Sequence, residues 1–180
     1  MLRRRRVTSD PILAVGIDPG LTGAIVAWDQ MATPRAWTMP RMSGDSGIDW
    51  PRVREIIEMC ASERAVIALE ALQPMRRSDS GDMVGGRAAT TAARNHGMLE
   101  GMIAANYIPY DIVSPRAWQR LIIPRAQTGA TKAAMIDVCR GRFPELELAP
   151  GRRRQAHSGI ADAVGLALYA AMAFSHRSLQ

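Results

Sequence analysis

The sequence predicts a single α/β domain: a mixed β-sheet with helices packed on its faces. Three observations carry that prediction. Short apolar runs of strand length recur along the chain, and segments with helical apolar spacing alternate with them. The first two strands are also close enough to form a hairpin through a tight glycine-containing turn. The chain has 180 residues, 47% hydrophobic and 22% charged, which is enough to bury one proper core. No internal repeat marks a second domain. Residues 1–11 read as a basic N-terminal arm, and residues 12–175 as the folded unit.

Taken in order, Ile12 to Ile17 is an apolar run that stops at Asp18, Pro19 and Gly20. It reads as a buried strand entering a tight turn. Gly23 to Trp28 returns as the second strand of the hairpin, through Leu21 and Thr22. Ala36 to Met39 suggests a weaker third strand. Val53, Ile56, Ile57 and Cys60 fall on one face of a helix, with charged residues between them. Ala65 to Leu69 is a further buried strand, ending at Glu70.

Gln73 to Gly86 is rich in Gly, Ser, Asp and Arg without periodicity, which predicts a mobile loop. Ala88 to Ala105 reads as a helix with many small residues, and Ile108 to Val113 as a strand. Ser114-Pro115 is a helix start with proline at the first position. A helix capped near Thr131 runs to Arg142, a loop spans Pro144 to Arg154, and a last helix covers Ser158 to Phe174.

Charge and cysteine content narrow the function. Lysine plus arginine outnumber aspartate plus glutamate by 23 to 17, an excess that suits a polyanionic partner, nucleic acid first. The runs Arg3 to Arg6 and Arg152 to Arg154 read either as solvated segments or as phosphate contacts. Cys60 and Cys139 have no metal-ligand spacing and suit core packing in a reducing compartment. No apolar stretch reaches membrane-spanning length without a charge, so no membrane partner is expected. Nor does a long apolar segment follow the arginine run, so no secretory signal is expected either.

Three carboxylates stand out. Asp18 and Glu70 each end a strand that looks buried. If those strands are parallel neighbours, both acids emerge at one sheet edge, where open α/β sheets place ligands. Asp162 is the only charged residue from Ile160 to Phe174, in a helix apolar on nearly every face. A buried, unpaired carboxylate costs several kcal/mol, so each acid needs a partner. Singly, each could pair with an arginine. Together, beside a glycine-rich turn, they point to hard divalent cations, and two such ions suit phosphodiester hydrolysis.

These residues resemble a known family. Gly16-Ile17-Asp18-Pro19-Gly20-Leu21-Thr22-Gly23-Ala24 is similar to the first-strand motif of RuvC-type Holliday-junction resolvases. Ala68-Leu69-Glu70 looks like their second acidic strand end. Ile108-Pro109-Tyr110 through Ser114-Pro115-Arg116-Ala117-Trp118 resembles the strand and helix start of phage-type members. Ala161-Asp162-Ala163, with Leu166, Ala167 and Tyr169, resembles their acidic last helix. Sugar kinases and actin-like ATPases use a related hairpin for phosphate, but so short a chain has no room for their second lobe.

The resemblance implies an RNase H-like nuclease domain over residues 12–175. It also implies a homodimer that cuts opposed strands of a four-way junction, or other branched DNA, with Mg²⁺ or Mn²⁺, two ions per site. Asp18, Glu70 and Asp162 match the family's metal-binding acids. Lys132 matches a lysine near the scissile phosphate, or is a solvated helix-start lysine. The implied setting is the cytoplasm of a bacterium, with the chain encoded by the cell or by a phage.

There are two departures. The family carries a fourth acid or a histidine one turn before the last aspartate, where this chain has Ser158 and Gly159, with His157 just outside. His157 is therefore the candidate fourth ligand, against an exposed loop residue. Where cellular members place an aromatic after the second acid, this chain has Leu72, Gln73 and Met75. Arg76, Arg77, Arg87 and Arg116 are the candidate DNA contacts. The helix from Ala88 to Ala105 is the candidate dimer interface, offering Met98, Leu99, Met102 and Ile103, or else it packs on the sheet.

Overall fold

The computed structural model describes residues 12–44, 47–72, 86–124 and 131–177. Among these residues five strands and five helices follow in the order β1 (Leu13–Asp18), β2 (Ala24–Trp28), β3 (Arg35–Thr38), α1 (Trp50–Ser62), β4 (Ala65–Glu70), α2 (Gly86–Ala105), β5 (Tyr110–Val113), α3 (Pro115–Ile122), α4 (Thr131–Arg142) and α5 (Ser158–Arg177). The strands form one mixed sheet in the order β3-β2-β1-β4-β5. β1 and β2 pair antiparallel as a hairpin, and its turn closes with Gly23 N–H donating to Gly20 O at 2.8 Å. β4 runs parallel to β1, and β5 parallel to β4.

Each face of the sheet carries its own core. Val15, Ile17, Ile25, Ile67 and Leu69 pack with α1 and α2 on one side. Ala14, Ala24, Val26 and Ala68 lie under α3, α4 and α5 on the other. Strands covered on both faces lack polar alternation, which is why β1 and β4 read as continuous apolar runs. Cys60 and Cys139 are both buried free thiols in these cores. Burial pushes their thiols up, to about 11 and about 12.

Several expected boundaries move. The loop expected from Gln73 lies outside the described residues as far as residue 85, and Gly86 already begins α2. β5 starts at Tyr110 rather than Ile108, although Ile67 N–H still reaches Pro109 O at 2.9 Å. Thr131 is the first residue of α4 rather than its cap. Leu99 and Ile103 are fully buried against the sheet, so they are not available to a partner chain. Helix α2 has one continuous apolar stripe, and the sheet takes it.

Helix α5 is long and apolar enough to cross a membrane by length and composition. Its apolar residues, from Ile160 through Phe174, are instead spent on the core of the α3–α5 face.

Candidate active site

Glycines seat α5 on the sheet, and this is what places Asp162. A Cβ at Gly16 would overlap the Ala163 carbonyl and the Ala167 amide of the helix. A Cβ at Gly159 would overlap Thr22 O and Gly23 in the hairpin turn. At Gly165 a Cβ would strike the Trp118 ring and press on Met135. Only hydrogen at Gly16 and Gly159 lets backbone lie directly on backbone, and only hydrogen at Gly165 leaves room for the indole. The first turn of α5 is thereby set against the turn that follows Asp18.

The parallel register pairs Ile17 with Leu69, so the next residues, Asp18 and Glu70, leave the sheet side by side. Asp18 Oδ1 accepts from Gly20 N–H at 3.2 Å. Glu70 Oε1 accepts from the indole N–H of Trp118 at 2.9 Å. All three acids feel one another. Burial, with the charges of Asp18 and Asp162 behind it, pushes Glu70 up to about 7 against the pull of the Trp118 hydrogen bond. Burial and Asp18 push Asp162 up to about 6, opposed by Lys132. Asp18 is raised by burial, while its Gly20 hydrogen bond and Lys132 lower it.

The structure therefore brings four of the expected residues together: Asp18, Glu70, Asp162 and Lys132. Lys132 is exposed on the first turn of α4, with its charge acting on two of the acids.

His157 has another role. It is the residue before α5, and its Nδ1 accepts from Ile160 N–H at 3.3 Å. That is an N-cap contact, in which the ring nitrogen accepts. Burial and Arg153 lower its pKa, so the neutral form that caps is favoured. The fourth-ligand role expected of His157 competes with this cap for Nδ1. Gly159 accounts for the missing acid, because any side chain there would strike the hairpin turn. Ser158, half-buried one turn before Asp162, has no such conflict.

Arg116 is exposed on the first turn of α3, the helix that carries Trp118. Arg87 lies in the first turn of α2. Arg76 and Arg77 lie outside the described residues.

Sequence reasoning missed two supports of Glu70. Trp118, fully buried between Gly165 and Met135, fixes the carboxylate from one face of the sheet. His96, buried in α2, lies 3.1 Å from the Glu70 carbonyl through Nε2 on the other face. Its Nδ1 stands 4.0 Å from Glu100, which accepts from Tyr110 Oη at 3.1 Å. The one available signal was a tryptophan whose indole N–H needs an acceptor once buried.

Carboxylate oxygens are the donors a hard divalent cation takes. Burial, with the charges of the neighbouring acids added for Glu70 and Asp162, disfavours their charged forms, and a cation would offset that cost. Among the described residues, however, no three His, Cys, Asp or Glu side chains already stand arranged around a single metal position. The acids are coupled electrostatically without closing on one point.

No family model matches the sequence, and neither does any curated protein. Solved structures do match. A structure of T. thermophilus RuvC in complex with Holliday junction substrate aligns over 93% of this chain and 96% of its own, with TM-score 0.55 and 17% identity. A second Thermus thermophilus RuvC structure aligns over the same shares, with TM-score 0.55 and 22% identity. The chain has the RNase H-like α/β fold of RuvC.

Proposed function

We propose that this protein is a structure-selective DNA endonuclease that resolves four-way junctions by paired, metal-dependent phosphodiester hydrolysis. One observation carries the reading: three half-buried, mutually repelling carboxylates converge from β1, β4 and α5, in the fold of a protein solved with a Holliday junction.

Asp18, Glu70 and Asp162 would hold Mg²⁺ or Mn²⁺, two ions per site. Such ions activate a water for in-line attack and stabilise the leaving 3′ oxygen. The chain's own residues supply the rest. Trp118 occupies one oxygen of Glu70 and leaves the other to face the site. Lys132 offsets the charge of Asp18 and Asp162, and stands ready for a phosphate. Arg76, Arg77, Arg87 and Arg116 contact the DNA backbone, which positions the duplex without reading its sequence.

A four-way junction has approximate two-fold symmetry, so a two-fold homodimer supplies two matched sites. The exposed face of α2, around Ala93, Gly97 and Gly101, is the surface for it. The setting that fits is the cytoplasm of a bacterial cell, with either a cellular or a phage gene.

A second reading is a weakly catalytic junction-binding protein, which the lack of an acid at Ser158 and Gly159 favours. The deciding experiment incubates the protein with labelled junction, flap, fork and linear duplex, in Mg²⁺, Mn²⁺ or chelator. Symmetric nicks in the junction that require metal support resolution, whereas binding without cleavage supports the second reading. Equal cutting of flaps and forks would broaden the substrate class to branched DNA.

A further inference from the structure

β3 closes one edge of the sheet. Met39 N–H donates to Gly23 O at 2.9 Å, which makes Met39, Trp37 and Arg35 the residues bonded to β2. The alternate residues, Ala36 and Thr38, therefore direct N–H and C=O outward, as any edge strand does. A groove of about 510 Å³ runs along that edge. Trp37 and Ile56 line it from the α1 face, and Leu146, Glu145 and Glu147 from the α5 face. Both glutamates are exposed, and Glu145 accepts a long hydrogen bond from Thr33 at 3.5 Å. Pro34 and Pro40 bracket the strand, so the free edge suits only a short segment.

We propose that residues 3–7 of this same chain fill the groove as an added strand, antiparallel to β3, with arginines of Arg3–Arg6 paired to Glu145 and Glu147. Reach, direction, length and charge all support this occupant. β1 and β3 are both antiparallel to β2, so both begin at the same end of the sheet. The chain enters β1 there, at Leu13. Crossing β2 and β3 to the groove takes three inter-strand spacings, about 14 Å. Roughly five extended residues span that distance, so the segment before Thr8 comes alongside β3. Traced from that end, it runs opposite to β3, the easier pairing for a short strand.

Side chains of an added strand alternate between the two sides of the groove, glutamates on one and Trp37 on the other. Arginine suits both: it pairs with carboxylates, and its guanidinium stacks on indole. Arg35 already places its guanidinium 5.9 Å from the Trp37 ring.

The test is amide hydrogen exchange by NMR on the full-length protein at low salt. Three forms are compared: wild type, Arg3–Arg6 changed together to alanine, and Glu145→Gln/Glu147→Gln. Expected is slowing of the Ala36 and Thr38 amides by about tenfold or more in the wild type, lost in both variants. A charge exchange, with the four arginines made glutamate and Glu145 and Glu147 made lysine, restores it. Free exchange at both amides in the wild type overturns the proposal. So does protection that survives both variants, or that rises with protein concentration, since a second copy would then be filling the edge.

Discussion

The two faces of the sheet are built by different rules. On the α1–α2 face, side chains meet side chains: Val53, Ile56, Ile57 and Cys60 of α1 pack on Val15, Ile17 and Ile67. The α2 glycines Gly97 and Gly101 lie instead on that helix's exposed side, with nothing within 4 Å of an added Cβ. On the α5 face, backbone meets backbone at Gly16 and Gly159, and an indole lies on Gly165. Side chains can shift their rotamers around a small change in a neighbour, whereas backbone set on backbone has no room for a methyl group. The acids of the site hang from the second kind of packing.

The largest effect expected is on catalysis. Asp18→Asn, Glu70→Gln and Asp162→Asn should each lower junction cleavage by more than about 100-fold, the upper range for losing even an outer-shell partner. Gel-shift affinity for the junction should stay near wild type. A variant that cuts at the wild-type rate is not a ligand.

Next comes the contrast between the faces. Gly16→Ala and Gly165→Ala should each cost several kcal/mol, because a methyl group has to displace helix backbone or the Trp118 ring. Gly97→Ala should instead stabilise by about 0.5–1 kcal/mol, since an exposed helical glycine only costs entropy. Urea titrations of the three variants measure this directly. Equal losses at Gly97 and Gly16 would erase the distinction between the faces.

A third prediction concerns pH. Folded Glu70 keeps its proton up to about 7, against an ordinary value of 4.5. Between those values the folded state holds the extra proton, so stability falls as pH rises through them. Above pH 7 the full penalty is present, and Asp162, raised to about 6, adds in the same sense. Glu70→Gln should therefore raise the metal-free Tm at pH 8, by on the order of 2 kcal/mol of stability, and leave it unchanged near pH 4. A Tm gain that is the same at both pH values would refute the raised carboxyl.

Smaller effects should separate support from ligation. Trp118→Phe keeps most of the packing but leaves Glu70 without its indole donor. It should require about 10–100-fold more metal for half-maximal cleavage. His157→Ala should cost about 1 kcal/mol as a lost cap, with no change in metal requirement. A change in metal requirement would restore His157 as a ligand. Ser158→Asp, one turn before Asp162 on the same side, should preserve or improve activity.

Most of the architecture could be read from the chain because β1, β4 and α5 are buried on nearly all sides. Their apolar runs therefore had a single interpretation, and an acid within them was conspicuous. Asp18, Glu70 and Asp162 were visible for that reason. Trp118 and His96 were not, because a buried tryptophan or histidine looks the same in sequence whether it packs or holds a carboxylate. The cap made by His157 was hidden for a related cause: a histidine just before a helix looks the same in sequence whether it caps or ligates. Leu99 and Ile103 looked available to a partner because a helical stripe does not say which surface it meets.

The order of the elements has a consequence for synthesis. Asp18 lies on the first strand, while Asp162 and the glycine seat that positions it belong to the last helix. Domains fold as the chain emerges, N-terminal parts first, but this site cannot close until α5 has left the ribosome and docked on β1. A nascent or truncated chain ending before α5 carries two of the acids and an uncovered sheet face, and cannot present the three acids together. The three-acid site is thus withheld by the chain's own topology until translation has passed its final helix.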